Sequence, residues 1–229
     1  MGQEKRSYRY ERKFLITQLS ESQVRSILVR HKAMFFEAFP PRYVNNIYFD
    51  TPKLSHYTDN LMGVAERVKV RVRWYHELLG PVVNPILEFK MKSGLVGWKD
   101  SFSFPPFTFD QSLTERGFRA IIKGGKLPPE IKHRLEGFRM SLVNRYNRSY
   151  YANCDGRFRV TIDTDLSYIK VNPLVNRFLV KNVQNGVVIL ELKYDREHER
   201  LAHQISNAFP FRISRSSKYV DGVERFLVS

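Results

Sequence analysis

The sequence has a single cysteine, Cys154, and no long uninterrupted run of apolar residues. One cysteine excludes a disulfide within the chain and makes a reducing, cytoplasmic compartment the simplest expectation. Without about 18 consecutive apolar residues, no membrane-spanning helix is expected. The N-terminus is polar and charged, so it lacks the apolar core of a signal peptide. The sequence also lacks internal repeats and low-complexity tracts.

Acidic residues are few relative to basic ones: 23 Asp and Glu against 38 Lys and Arg, a formal net charge of +15. That much positive charge predicts a polyanionic partner, but it does not distinguish nucleic acid, phosphate chains, nucleotides and acidic membranes. Hydrophobic residues make up 42% of the 229 residues, which excludes wholesale disorder. The Pro and Gly clusters are short and typical of turns, so we predict one domain over residues 1–229.

Hydrophobic periodicity predicts about eight sequential strands, with helices inserted between them or following them. The predicted strands cover residues 8–16, 43–50, 67–75, 86–92, 99–104, 141–152, 158–163 and 187–193. One helix is predicted from a capping box at residues 20–23 to about residue 36. Further helices are predicted over residues 113–122, 130–142, 196–208 and 217–227. This order is typical of an α+β fold with a large antiparallel sheet.

Cationic and apolar side chains alternate along these strands, and residues two apart on a strand share a face. Between Arg67 and Arg73 every second residue is Lys or Arg, and three valines lie on the other face. Comparable alternation surrounds Lys13, Lys90 and Arg159. One such strand is typical of a solvated sheet face, but five strands with mostly cationic faces favour an array that encloses an anion, because adjacent like charges repel. We therefore predict a barrel whose interior holds a phosphate chain and a divalent cation.

Nine short motifs occur in a fixed order along the chain. They are YERKF (10–14), NIYFDT (46–51), RVR (71–73), EFK (88–90), YNR (146–148), RFR (157–159), IDTD (162–165), ELK (191–193) and SSKY (216–219). In this order the sequence resembles the polyphosphate polymerase domain of the vacuolar transporter chaperone complex. That domain is a branch of the triphosphate tunnel metalloenzymes, the CYTH-like superfamily. The resemblance extends from about residue 7 to 227, and the ordered set, rather than any single motif, is specific.

The resemblance implies an antiparallel β-barrel of about eight strands, a triphosphate tunnel, with helices packed outside. It implies transfer of the γ-phosphoryl group of ATP onto polyphosphate, with Mn²⁺ or Mg²⁺. The implied catalytic cations are Lys13, Arg71, Arg73, Lys90, Arg148, Arg159 and Lys218. The implied further substrate contacts are Lys99, Tyr146, Lys193 and Ser217, with Lys92 competing for the position of Lys99. The implied metal ligands are Glu191 and Glu11.

One departure from the superfamily pattern bears on the alternatives. The wider superfamily begins with Glu-x-Glu-x-Lys, and here Arg9 replaces the first acid, which argues against a two-metal triphosphatase. The alternatives that remain are a triphosphatase or cyclase of the same superfamily, a non-catalytic polyphosphate or nucleotide sensor, and a nucleic-acid-binding protein. The last is least favoured, because it needs aromatic side chains for base stacking on the same face as the cations, and Phe89 and Phe158 alternate away from that face. Asp163 and Asp165 follow a predicted strand and are more typical of a turn than of a metal site.

Overall fold

The computed structural model describes residues 9–94, 96–172 and 181–227, in which the chain forms eleven strands and six helices. The strands are β1 (Arg9–Ile16), β2 (Phe35–Asp50), β3 (Glu66–Tyr75), β4 (Gly80–Val82), β5 (Ile86–Ser93), β6 (Val96–Ser103), β7 (Phe107–Phe109), β8 (Arg139–Asn153), β9 (Arg159–Lys170), β10 (Lys181–Gln184) and β11 (Val188–Asp195). The helices are α1 (Glu21–Val29), α2 (Ser55–Met62), α3 (Glu115–Gly124), α4 (Pro129–Glu136), α5 (Glu199–Asn207) and α6 (Lys218–Leu227). None of the helices within these ranges is long and apolar enough to cross a membrane. The expected first residue of the first strand, Tyr8, lies outside the described residues.

Eight of the strands pair in a circle, in the order β1, β6, β5, β3, β2, β8, β9, β11 and back to β1. Every neighbouring pair is antiparallel. The ladder between β1 and β6 is confined to one pair, Arg9 with Gly97, so the wall is barrel-like without being closed along that seam. This architecture confirms the predicted α+β fold and antiparallel barrel.

The apolar faces of the strands are covered by helices on two sides of the barrel. On one side the valines of β3, Val70 and Val72, belong to a core that includes Phe118 of α3. On another side Val24 of α1 belongs to a core with Leu190 of β11. Because the helices cover the apolar faces, the charged faces of the same strands line the interior.

The last helix, α6, packs against the interior face of the sheet. The ring of Tyr219 stacks on Tyr48 with 4.8 Å between centroids, and its hydroxyl donates a hydrogen bond to Asp50 at 2.5 Å. A Cβ atom at Gly222 would lie 2.4 Å from a methyl group of Leu142, so only glycine allows this close approach. The first residue of the helix, Lys218, therefore lies beside the charged interior.

Two helices end earlier than periodicity predicts. The capping box of Ser20 is confirmed, but α1 ends at Val29 and Phe35 already belongs to β2, so the predicted helix to residue 36 is wrong. The helix predicted over 130–142 ends at Glu136, and Arg139 begins β8. In both cases the residues join the long ladder between β2 and β8, because the energy of strand pairing outweighs a weak local helical preference.

Candidate functional site

A fully buried carboxylate, Asp163 of β9, holds two cations on the interior face. The guanidinium of Arg148 donates two hydrogen bonds to it, from Nε to Oδ1 at 2.5 Å and from Nη2 to Oδ2 at 2.6 Å. The Nζ atom of Lys218 donates to Oδ2 at 2.5 Å. Burial alone would raise the pKa of Asp163, but Arg148 and Lys218 outweigh it and hold that pKa below its usual range. The interpretation of Asp163 as a turn residue is therefore wrong, because it lies within a strand and carries an ion-pair network.

A second carboxylate cluster lies next to the first, around Glu191 of β11. Its carboxylate oxygens lie 3.2 Å from Nζ of Lys13 and 3.2 Å from Nζ of Lys193. The Nζ atom of Lys13 also lies 3.6 Å from Glu11 on the same strand, and Nζ of Lys90 lies 3.0 Å from Glu11. Burial would raise the pKa of Glu191, but the surrounding lysines hold it well below the usual range. Glu11 and Glu191, the two expected metal ligands, therefore both lie next to Lys13.

A third buried carboxylate, Glu88 of β5, joins the cations of β3 and β6. It accepts from Nε of Arg71 at 2.7 Å and from Nζ of Lys99 at 2.6 Å, and Nη1 of Arg73 lies 3.7 Å away. The Nε atom of Arg73 donates to the side-chain oxygen of Asn46 at 3.0 Å. Lys99 therefore lies in the network, whereas the ion pairs in the described ranges do not include Lys92.

Tyr146 of β8 lies between these clusters and is almost fully buried. The centroid of its ring lies 4.7 Å from Nζ of Lys218 and 5.1 Å from Cζ of Arg148. Burial alone would raise the pKa of the phenol, but the charges of Arg148 and Arg73 outweigh it and lower the pKa to about 8. The interior field is therefore strongly positive at this position.

The effect of these cations on the Tyr146 phenol can be measured by titration. We expect the Tyr146 phenol to ionise near pH 8, against an ordinary value of 10.0, because the adjacent cations stabilise the phenolate. Added tripolyphosphate is expected to raise that pKa, since its negative charge neutralises the same cations. Absorbance at 295 nm during a pH titration measures the ionisation. The variant Tyr146→Phe is expected to lose the early step, and an unchanged step in that variant would contradict the assignment.

Two expected site residues lie outside the ion-pair clusters. Arg159 pairs in register with Lys193 and therefore shares the interior face, but it is exposed. In the described part of the chain it has no acidic partner. The hydroxyl of Ser217 accepts from the backbone N–H of Val220 at 3.4 Å, as an N-cap of α6 does.

Two further residues on the interior face were missing from the expected site. Lys69 lies directly opposite Lys90 in the β3–β5 ladder, and burial together with Lys13 and Lys90 holds its pKa well below the usual range. The described ranges contain no ion pair for it. Thr161 lies opposite Glu191, and its buried hydroxyl has no hydrogen-bond partner among the described residues. The alternation along β3 already indicated Lys69, whereas no sequence signal indicated Thr161.

Two interior carboxylates, Glu11 and Glu191, could supply some of the ligands of a divalent cation. Over the residues that the structure describes, no three His, Cys, Asp or Glu side chains form a group that could hold a metal by themselves. Glu11 and Glu191 do converge on Lys13, and carboxylate oxygens are the hard ligands that Mg²⁺ and Mn²⁺ take. Since Mg²⁺ in particular usually keeps waters and phosphate oxygens among its ligands, two protein carboxylates suffice for such a site.

A barrel-like antiparallel wall with Arg, Lys and a few buried acids inside defines the triphosphate tunnel class of proteins. Two solved structures are similar over nearly the whole chain. A candidate adenylate cyclase from Vibrio parahaemolyticus has 10% sequence identity and a TM-score of 0.53, and the match covers 94% of this chain and 98% of that one. A candidate adenylyl cyclase from Hippeastrum, described as having a dominant triphosphatase activity, has 14% identity and a TM-score of 0.54, with 96% of both chains covered. At these identities the likeness establishes the fold.

The family follows from the sequence match. The VTC domain model matches residues 8–227, so the chain belongs to the VTC domain family. A comparison with curated protein sequences found no significant match.

Proposed function

We propose that this protein is an ATP-dependent polyphosphate polymerase, which transfers the γ-phosphoryl group of ATP onto the end of a polyphosphate chain. Membership of the VTC domain family and the tunnel fold support triphosphate as the class of ligand. The observation that carries the proposal is the convergence of cations from three strands and one helix on the interior. They are Lys13 of β1, Arg71 and Arg73 of β3, Arg148 of β8 and Lys218 of α6.

Phosphoryl transfer needs alignment and charge neutralisation more than it needs a covalent catalyst. In the proposed step, a terminal oxygen of polyphosphate attacks the γ-phosphorus of ATP in line. The bond from the γ-phosphorus to the β–γ bridging oxygen breaks, ADP leaves, and the chain is one phosphate longer. The attacking oxygen is already an anion, so no strong general base is required.

The buried acids hold the cations in position before any substrate binds. Glu88 orients Arg71 through a 2.7 Å hydrogen bond, and Asp163 orients Arg148 through two. Donors that are already oriented stabilise charge developing in a transition state without a further reorganisation cost. The fork of each arginine can then donate two hydrogen bonds to phosphate oxygens.

A divalent cation is part of the proposed function. Glu191 and Glu11 would hold Mn²⁺ or Mg²⁺, and Lys13, which contacts both carboxylates, balances their charge. When bound, such an ion neutralises charge on phosphate oxygens.

The proposal is tested by incubating the protein with ATP and Mn²⁺. We expect release of ADP together with long polyphosphate, resolved by gel electrophoresis. The variant Arg73→Met is expected to lose the product, whereas Arg116→Met, an exposed arginine of α3, is expected to retain it. Release of free phosphate without polyphosphate would contradict polymerase activity.

A triphosphatase is the second candidate, in which water replaces the terminal oxygen of polyphosphate. The described activity of the Hippeastrum protein, which has the same fold, favours it. The arrangement of the acids opposes it: among the described residues, no three His, Cys, Asp or Glu side chains group together as ligands, whereas two-metal hydrolysis holds two ions close together. The products of the ATP incubation separate the two candidates.

A further inference from the structure

The ladder between β2 and β8 carries an exposed aromatic patch where it extends past Arg148. On β2, Phe36 pairs with Ala152, Phe39 with Tyr150, and Arg42 with Arg148. Register shifts between Glu37 and Phe39 and between Phe39 and Arg42 bring these three residues, although three apart, to the interior face of Arg148. Phe36 and Phe39 remain 51% and 67% exposed. With Tyr75 of β3, we call this set the aromatic platform; its members are Phe36, Phe39, Arg42, Tyr75 and Tyr150.

The rings and the guanidinium of the platform are mutually ordered. The Cζ atom of Arg42 lies 4.0 Å from the ring centroid of Tyr75 and 5.2 Å from that of Tyr150. Its Nε donates to the hydroxyl of Tyr150 at 3.1 Å. Phe39 meets Tyr150 edge to face, with 6.2 Å between centroids. The platform therefore offers exposed ring faces next to a fixed hydrogen-bond donor.

The platform is continuous with the phosphate-binding cations. Tyr150 follows Arg148 by two residues on β8, and Tyr75 follows Arg73 by two residues on β3, in each case on the same face. Two residues of a strand span about 7 Å. That separation suits a ribose, which joins the phosphates of a nucleotide to its base. Aromatic faces and arginine are the groups on which bases stack in proteins.

We propose that the aromatic platform binds the purine base of the nucleoside triphosphate whose phosphates contact Arg73 and Arg148. The inference rests on the proposed function, because it requires a triphosphate in the interior. It assigns nucleotide recognition to residues that make no contact with phosphate. The rings of the platform stack on the larger ring system of a purine more strongly than on a pyrimidine, and these rings contribute nothing to binding of inorganic tripolyphosphate.

The test compares three ligands on the full chain by isothermal titration calorimetry: ATP, UTP and inorganic tripolyphosphate. The variants are Phe39→Ala, which removes an exposed ring, and Tyr150→Ala. The matched control is Met62→Ala, an exposed apolar residue of α2. We expect both platform variants to weaken ATP binding roughly tenfold, the size of one lost stacking contact. Binding of tripolyphosphate is expected to stay within about twofold of the unmodified protein, and the control is expected to bind all three ligands unchanged.

The outcomes separate this inference from the proposed function. If the unmodified protein binds tripolyphosphate but Phe39→Ala binds ATP as tightly as before, the platform is not a base site and the proposed function stands. Equal losses for ATP and tripolyphosphate would also overturn the inference, because they would indicate a general disturbance. If neither ligand binds the unmodified protein, both proposals fail.

Single-stranded RNA that binds as tightly as ATP and also depends on Phe39 would assign the platform to nucleic acid instead. Should Tyr150→Ala fail to fold, Phe39→Ala alone decides.

Discussion

Replacing Glu191 with Gln is expected to lower the rate of metal-dependent phosphoryl transfer roughly a thousandfold, equivalent to about 4 kcal/mol of transition-state stabilisation. The amide cannot supply the anionic oxygen that a divalent cation requires. It also releases Lys13 and Lys193 from a carboxylate 3.2 Å away from each. The measurement is the initial rate of ADP release from ATP in Mn²⁺.

A structural effect of Glu191→Gln can be distinguished from a loss of metal binding. In metal-free buffer Glu191→Gln is expected to bind tripolyphosphate at least as tightly as the unmodified protein, because a negative charge has left the interior. Glu197→Gln is the matched control, with a side chain 77% exposed. Retained activity in Glu191→Gln, or equal activity with and without Mn²⁺ in the unmodified protein, would refute the assignment of Glu191 to the metal.

Replacing Asp163 with Asn is expected to lower the free energy of unfolding by about 3 to 5 kcal/mol. The carboxylate is fully buried and binds Arg148 and Lys218 directly. Its removal leaves these two buried cations with only the more distant Glu191, at 3.6 and 3.8 Å, as a counterion. Urea denaturation at pH 7, followed by circular dichroism, measures the loss. Tripolyphosphate is expected to restore part of the lost stability, because its oxygens replace the missing anion.

The pH dependence of this loss has a defined sign. Since the folded-state pKa of Asp163 is held below the ordinary value of 3.8, the stabilisation is present above that value and is lost as the pH falls below it. The difference between Asp163→Asn and the unmodified protein is therefore expected to shrink in acid. The control Asp59→Asn lies on α2, outside the network. A loss below 1 kcal/mol for Asp163→Asn would contradict the buried ion-pair network.

Much of the site followed from the alternation of residues along single strands. Arg71 and Arg73 lie on the interior face with Val70 and Val72 on the outer face, as the period of two requires. That period is a property of any strand and needs no knowledge of its partners. It does not reveal which acid meets which cation, because Glu88 and Arg71 meet only through the register of the β3–β5 ladder.

Other features depended on contacts between distant segments. The helical periodicity near Phe35 was overridden by pairing with Asn153, more than a hundred residues later. Phe89 of β5 and Phe158, just before β9, belong to the outer apolar cores, as predicted from alternation. Alternation does not place Phe39, which joins Tyr150 and Arg148 on the interior face only when β2 pairs with β8.

By itself, the sequence determined the excess of positive charge, most of the barrel strands and the two faces of each, because these depend on composition and on the geometry of a single extended chain. The tertiary structure alone decided that Asp163 becomes the buried counterion of Arg148 and Lys218, and that Arg159 stays exposed. The energy of a buried charge depends on which opposite charges lie within a few ångströms of it, and the pairing and curvature of the strands set those distances.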